Sequence, residues 1–502
     1  MNRTQKFALN SITTAVSQIV VMIVGFITPS LMIRTYGSEI NGLVSSINQL
    51  IGYITLVEAG LSGAAVYSLY KPLAEHDEKG INAIISAARK FYLQAGYIFS
   101  TAALILSVVY ACLKASASIS FSTIFFLTLI LSVNGCVDFF VLSRYRVILT
   151  ADQKTYIIST VGIIQTIVRT LIIVACALSK VNVVGLYALT LLPIVIKIIV
   201  LSQYCKRRYT FLNFKEEPNI AALGRRYDVI YQQILGMVQT GAPAIIATIV
   251  LDFFSVSIYA VYNMVMSGLN GILGIFISGL PAGFGEIIAK KEYETLKKTT
   301  SQFEVAYYFI LTIVYGITFA MMIPFITIYT KNFQDTDYIL PVFSFFIVLN
   351  GLLYNIKTPQ SMLIISAGMY RETRWRVTIQ GAIIVVGGFI LAPFWGLIGI
   401  MIASCLSNLY RTVDLLYFVP KYITKGSVTD SVFRMLRVIM NIVIINIPCF
   451  FVKINPEGYL QWGLYAILLG GWGICVTFLS TYLFNRKECK ELLKRFKNMV
   501  RR

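Results

Sequence analysis

An all-α integral membrane protein is what this sequence predicts, and three observations lead there. The 502 residues are 57% hydrophobic and only 13% charged, with a mean hydropathy of +0.74. A soluble domain carries about 25% charged residues, and no enlarged core accounts for such a deficit. Apolar stretches long enough to cross a bilayer recur along the whole chain. The lysines and arginines between them segregate to alternate connections, which is how a multi-spanning chain records its orientation.

Fourteen apolar stretches bounded by charge, proline or glycine fall near 9–33, 42–67, 92–113, 121–143, 157–179, 183–204, 229–251, 254–280, 304–329, 339–366, 376–394, 397–418, 436–453 and 459–484. Each is read as a helix, because an apolar segment in lipid has to satisfy its own backbone. The first, within "MNRTQKFALNSITTAVSQIVVMIVGFITPSLMI", exceeds the roughly 7–15 residues of a signal-peptide core and is read as a retained span. With the N-terminus in the cytoplasm, only Arg34, Lys114, Lys180, Lys331 and Lys453 lie outside, and Arg169, Lys197 and Lys357 lie within spans. All other basic residues are then cytoplasmic, and so are both termini. The formal net charge of +20 is mostly this topological signal and does not call for nucleic acid. The tail "NRKECKELLKRFKNMVRR" (485–502) sets Cys489, Leu492, Leu493, Phe496, Met499 and Val500 on one helical face and basic residues on the other, as for a helix lying on an anionic membrane surface.

The first twelve spans read as a doubled unit. "YKPLAEHDEKGINAIISAARKFY" (70–92) resembles "FGEIIAKKEYETLKKTTSQFEVAYY" (284–308), and "VILTADQKTY" (147–156) resembles "MLIISAGMYR" (362–371), all at a shared offset of about 215 residues. Pro29 and Pro243 stand in the same relation. Six is even, so both copies have the same orientation, a transporter design in which substrate binds between two halves. The expected organisation is an N-lobe of spans one to six (1–205), a cytoplasmic inter-lobe loop (206–228), a C-lobe of spans seven to twelve (229–420), two peripheral spans (421–484) and the basic amphipathic cytoplasmic tail (485–502).

Charges inside spans are the candidate site. A guanidinium in mid-span costs roughly 2.5–3.5 kcal/mol even on the mildest scale, so something offsets it or uses it. Arg169 shares its helical face with Gly162, Gln165, Thr166 and Cys176, a small and polar stripe that points away from lipid. Lys197 follows Pro193 by one turn, and Lys357 shares a face with Asn350, Tyr354 and Ser361. Arg144 and Arg146, at a span end, are candidates for the mouth of an inward-opening cavity. Glu58 and Asp138 are the intramembrane acids, candidates for counter-charges or for coupling to a proton or sodium gradient. Two readings stand side by side: a cationic cavity that receives an anion, or an internal ion pair, such as Glu58 with Arg169, that only holds helices together. Lys197 can also snorkel to the surface. The prolines and the glycine-rich "SGLNGILGIFISGLPAGFG" (267–285) serve close packing and bending.

No catalytic constellation appears. There is no phosphate-binding loop for ATP, and the external loops are too short to carry catalytic acids. The eight cysteines form no CxxC pair and His76 is the sole histidine, so neither a zinc site nor a haem is expected. No catalytic residue, metal or cofactor is assigned.

The fourteen spans, the doubled unit and above all "IRTYGSEINGLVSSINQLIGYITLVEAGLSGAAVYSLYKPLAEHD" (33–77) resemble the polysaccharide repeat-unit flippases of the Wzx type, in the multidrug/oligosaccharidyl-lipid/polysaccharide exporter superfamily. The "YG…NGL" between spans one and two and "EAGLSGAA" (58–65) carry most of the likeness. It implies a multi-pass protein of the bacterial plasma membrane. Its implied work is to move an undecaprenyl-diphosphate-linked oligosaccharide to the outer leaflet for capsule, O-antigen or exopolysaccharide assembly. Polysaccharide polymerase and glycosyltransferases are the implied partners. A multidrug exporter of the same superfamily and a non-transporting scaffold of a polysaccharide-synthesis complex are the competing readings.

Overall fold

The computed structural model describes residues 3–58, 61–214, 216–219, 226–277, 280–452 and 454–491. The described residues are helical almost throughout: α1 (Arg3–Ile54), α2 (Leu61–Glu75), α3 (Glu78–Lys114), α4 (Phe121–Val137), α5 (Ser143–Ala151), α6 (Thr155–Leu178), α7 (Val183–Leu189), α8 (Leu192–Arg208), α9 (Arg226–Val250), α10 (Phe253–Ile277), α11 (Leu280–Ala289), α12 (Tyr293–Tyr329), α13 (Pro341–Ile356), α14 (Thr358–Ala367), α15 (Tyr370–Val419), α16 (Val428–Phe451) and α17 (Tyr459–Phe484). Most of the expected tail, from Leu492 onward, lies outside the described residues, as does part of the 206–228 loop.

Local chemistry sets the starts. Asp77 accepts from the Gly80 N–H at α3, Ser120 from Thr123 at α4, and Asn182 from Val184 at α7, each satisfying a donor that the helix start leaves free. Glycine sets the interior breaks. Gly37 (φ 88°) divides α1 and Gly396 (φ 55°) divides α15, in backbone conformations that a Cβ disfavours.

Ten runs of described residues are long and apolar enough to cross a membrane, fewer than the fourteen expected. The difference has identifiable causes. Leu9–Glu75 and Tyr370–Thr424, with 67 and 55 residues, each exceed twice the roughly 20 residues a crossing needs. The expected span 229–251 is represented by a shorter apolar helix, Ile234–Val250. The expected span 339–366 is interrupted at Lys357 into α13 and α14, of 16 and 10 residues.

Element boundaries recur along the chain. Helices α3 and α12 are both 37 residues long and begin 215 residues apart, at Glu78 and Tyr293. The starts of α6 and α15, Thr155 and Tyr370, stand at the same spacing. So do two pairs of left-handed residues, His76 with Lys291 and Gln153 with Gly368. Such conformations are uncommon for residues other than glycine, so their recurrence at His76 and Lys291 is informative.

The chain forms two compact units: Met1–Thr248 with Phe253–Ser257, and Ile249–Asp252 with Ile258–Arg502. Helix α9 thus clusters with the first unit. The Tyr53 hydroxyl there donates to the Met237 carbonyl at 3.1 Å.

The core of the first unit runs through α1 to α6, with Leu43, Ile47, Leu69, Phe99, Ile124 and Ile148 fully buried. Gly135 lets α4 approach α3, since a Cβ there would collide with the Phe99 ring. One polar knot holds the start of α1 against the α5–α6 turn. Asp152 accepts from Lys6 at 2.9 Å, Lys154 at 2.6 Å and the Tyr209 hydroxyl at 2.7 Å. Burial alone would push the Asp152 carboxyl up, but hydrogen bonds from Lys154, Lys6 and Tyr209 outweigh it and hold the group below its ordinary value. The segment after α8 straps along α3: Asn82 donates to the Phe211 carbonyl at 2.9 Å and accepts from the Asn213 N–H at 3.0 Å.

In the second unit, α12 is the spine against which α13, α16 and α17 pack. Tyr307, Tyr315, Leu311 and Ile326 of α12 are among its buried side chains.

Candidate functional site

Three of the predicted site residues meet in the first unit. Arg146, on α5, donates to Asp138 Oδ2 at 3.0 Å and, through its other terminal nitrogen, to Glu58 Oε1. Both acids sit on helix irregularities. Glu58 ends a 3-10 turn, Thr55–Glu58, and Asp138 opens a π-helical turn, Asp138–Leu142. The π turn closes with the Ser143 N–H on the Asp138 carbonyl, and the Ser143 hydroxyl donates to the same oxygen at 2.7 Å. The cluster holds two carboxylates and one guanidinium. One negative charge is left over.

The ion pair of Glu58 with Arg169, one of the two readings left open by the sequence, is not formed among the described residues. Glu58 is engaged by Arg146, 88 positions away in the chain. Arg169 is half-buried on α6. Its Nε is buried with no hydrogen-bond partner, and it forms no ion pair among the described residues. The buried Tyr187 is close enough to interact electrostatically with it.

Arg144 neighbours Arg146 in sequence but has different company. Its guanidinium lies 5.0 Å from the ring centroids of both Tyr145 and Phe214. Such stacking suits a planar, weakly hydrated cation. Its Nε is also unpaired. Lys197 is half-buried on α8, with no ion pair among the described residues.

Lys357 belongs to the second unit and is 5% exposed, at the junction of α13 and α14. Its ammonium donates to Asn408 Oδ1 and stands 4.7 Å from the Tyr354 ring centroid. Asn408 in turn donates to Asn350 Oδ1 at 2.8 Å, and Gln380 donates to Asn408 Oδ1 at 3.3 Å. The ammonium is therefore held by neutral oxygen and a π face, with no carboxylate bridged to it among the described residues. Asn350 and Tyr354 were legible from helical spacing. Asn408 and Gln380, on α15, were not.

Sequence reasoning also missed two charged groups of the second unit. Asp414 is bound by Arg376 and, at 2.5 Å, by Arg411. Glu304 of α12 is 2% exposed and accepts from Arg434 of α16 at 2.6 Å. Arg411 and Asp414, three residues apart on one helix, carried the only local signal.

The fold itself is recognisable. No family model and no curated protein matches this sequence. Solved structures do match at low identity. An inward closed conformation of the lipid II flippase MurJ superposes with a TM-score of 0.67 at 16% identity, covering 95% of this chain and 99% of that one. An inward-facing MATE family multidrug resistance transporter of the MOP superfamily gives 0.61 at 13%, covering 86% and 98%. A MOP superfamily transporter from Pyrococcus furiosus, described as having a binding pocket of reverse polarity, gives 0.58 at 12%, covering 86% and 95%. This chain is a multi-pass, all-α membrane protein with the fold of the MOP-superfamily transporters.

Proposed function

We propose that this protein is a flippase for a lipid-diphosphate-linked oligosaccharide, carrying the repeat unit from the cytoplasmic to the outer leaflet of a bacterial plasma membrane by alternating access. The single observation that carries the reading is Arg169: a guanidinium in mid-span with a buried, unpartnered Nε and no ion pair among the described residues. A diphosphate is the counterpart such a group lacks, because charge-assisted bonds to phosphate oxygens are strong and suit the arginine fork. Arg144 and Lys357 add cations with aromatic or amide neighbours, and Lys197 adds a fourth. Arg146 takes the mouth role only when it exchanges Glu58 or Asp138 for substrate. The likeness to a lipid II flippase supports a lipid-linked substrate.

The architecture that goes with this reading is fourteen spans in two six-helix repeats plus two C-terminal helices, with both termini cytoplasmic. The 215-residue recurrence of α3 with α12 and of α6 with α15 supports the repeats. Lobes at 1–205 and 229–420 follow that recurrence, whereas the compact division lies near Thr248.

One observation favours a second reading. The surplus negative charge at Glu58, Asp138 and Arg146 suits a proton or sodium ion, or the cationic cargo of a multidrug exporter. Purified protein in liposomes separates the two. The flippase moves a fluorescent undecaprenyl-diphosphate oligosaccharide and loses that activity in Arg169→Ala. Transport of an organic cation, with no movement of the lipid, would overturn the proposal.

A further inference from the structure

The second unit contains a cavity of about 350 Å³ that the transport reading does not use. Its walls are the start of α12, the approach to α16 and the segment after α17. Gly426 apart, every lining residue is polar or charged. Ordinary ligand pockets are mostly apolar. A wall of this kind suits a ligand that stays hydrated and charged.

The charges are of both signs and incompletely matched. Lys298 pairs with Glu491 at 3.0 Å, and Arg434 pairs with Glu304 at 2.6 Å and with Glu488 at 3.4 Å. Lys297, Lys487, Glu294 and Asp430 also line the cavity, yet none of the four forms an ion pair among the described residues. Deeper in the wall, three polar atoms are buried without partners: Thr300 Oγ1, Gln302 Oε1 and Arg434 Nε. Thr300 and Gln302 are 9% and 4% exposed. An amide oxygen needs a donor and a guanidinium nitrogen needs an acceptor, so the unmet valences are of both kinds. Leaving them unmet is costly in a buried wall.

We propose that this cavity binds a small zwitterion, an ammonium and a phosphate on one short carbon frame. The phosphate meets Lys297, Lys487 and Arg434. The ammonium meets Gln302, Glu294 and Asp430. The ligand bridges Lys297 and Lys487 to Glu294 and Asp430, charges that no ion pair joins among the described residues.

Binding has a built-in reporter. Lys487, Glu488 and Glu491 form one wall, and Ser301 donates to Glu488 at 2.9 Å. Cys489 lies between them and is 6% exposed. A ligand that pins this segment shields the thiol.

The test uses the full chain in phosphatidylglycerol nanodiscs, with maleimide labelling of Cys489 followed on its own peptide by mass spectrometry. Phosphoethanolamine at ten times its Kd is expected to slow labelling by about tenfold, following its occupancy. Inorganic phosphate alone and ethanolamine alone are expected to slow it less than twofold. Phosphatidylethanolamine nanodiscs distinguish the source: protection there without added ligand identifies a lipid headgroup, and protection only by the soluble compound identifies a free metabolite. Either result supports the site. Gln302→Leu is expected to abolish protection. Asp430→Asn, on the exposed rim, keeps the test valid if the first variant misfolds. Arg169→Ala should leave protection intact, which separates this site from the flippase reading. No protection by phosphoethanolamine, or equal protection by inorganic phosphate, would overturn the proposal.

Discussion

Arg169 and Arg146 divide the labour that sequence alone left undivided. Arg146 has its acids and Arg169 has none among the described residues. Under the proposed flippase function, Arg169→Ala is expected to abolish flipping in liposomes while the protein still inserts and elutes as folded. Arg169→Lys should restore part of the activity, since a point charge replaces only part of a planar fork. The pairing makes a second, thermodynamic prediction. Effects of Glu58→Gln and Arg169→Ala on unfolding should add to within about 0.5 kcal/mol, as for independent sites. Those of Glu58→Gln and Arg146→Met should not, because the two residues touch. Strong coupling of Glu58 with Arg169 in a denaturation cycle would restore the ion-pair reading.

Asp152 offers a pH test at the same scale. Its folded carboxyl is held below the ordinary value by Lys154, Lys6 and Tyr209. A depressed acid stabilises the fold above its unfolded value, about 3.9 for aspartate, and loses that contribution as pH falls through the folded value. Hydrogen exchange at the start of α1 should thus be insensitive to pH between 5 and 8, after correction for intrinsic rates, and rise only below about 4. In Asp152→Asn the protection should be low throughout.

Helix breaks are the next level up. Gly396 sits at φ 55°, ψ −135°, a conformation close to glycine-only. A Cβ there would meet nothing within 4 Å, so Gly396→Ala tests backbone strain without a clash. It is expected to cost about 1–3 kcal/mol, read as a lower midpoint of thermal unfolding in detergent. An unchanged midpoint would mean that α15 straightens at no cost. The same logic explains why two long helical runs stand where four spans were expected: a glycine turns the chain without ending the helical hydrogen bonding around it.

For the molecule as a whole, orientation is the property to measure. Reporter fusions at Gly80, Lys215, Thr295, Asp430 and Val500 are expected to remain in the cytoplasm, and those at Ala117, Val181 and Gln334 to lie outside. One clear reversal would mean that a span was miscounted. The prediction is exacting at Lys215 and Thr295, because it requires the shorter helix Ile234–Val250 to cross the membrane.

Membrane class, candidate spans and the repeat offset were all determined by the sequence by itself, because each rests on a one-dimensional quantity. Hydropathy is summed along a window, charge bias is counted between windows, and an offset between similar stretches is read directly from the numbering. The pairing of charges was decided only by the tertiary structure. Glu58 and Arg146 are 88 positions apart, and Glu304 and Arg434 are 130 apart. No spacing rule reaches that far. Helical periodicity also fails where the helix does. The 3-10 turn at Glu58 and the π turn at Asp138 rotate their carboxylates off the faces that a regular helix of 3.6 residues per turn would give them. Arg169 was found by its sequence because α6 is unbroken around it. Its missing partner was a fact about Arg146, and only folding brings Arg146 to the acids.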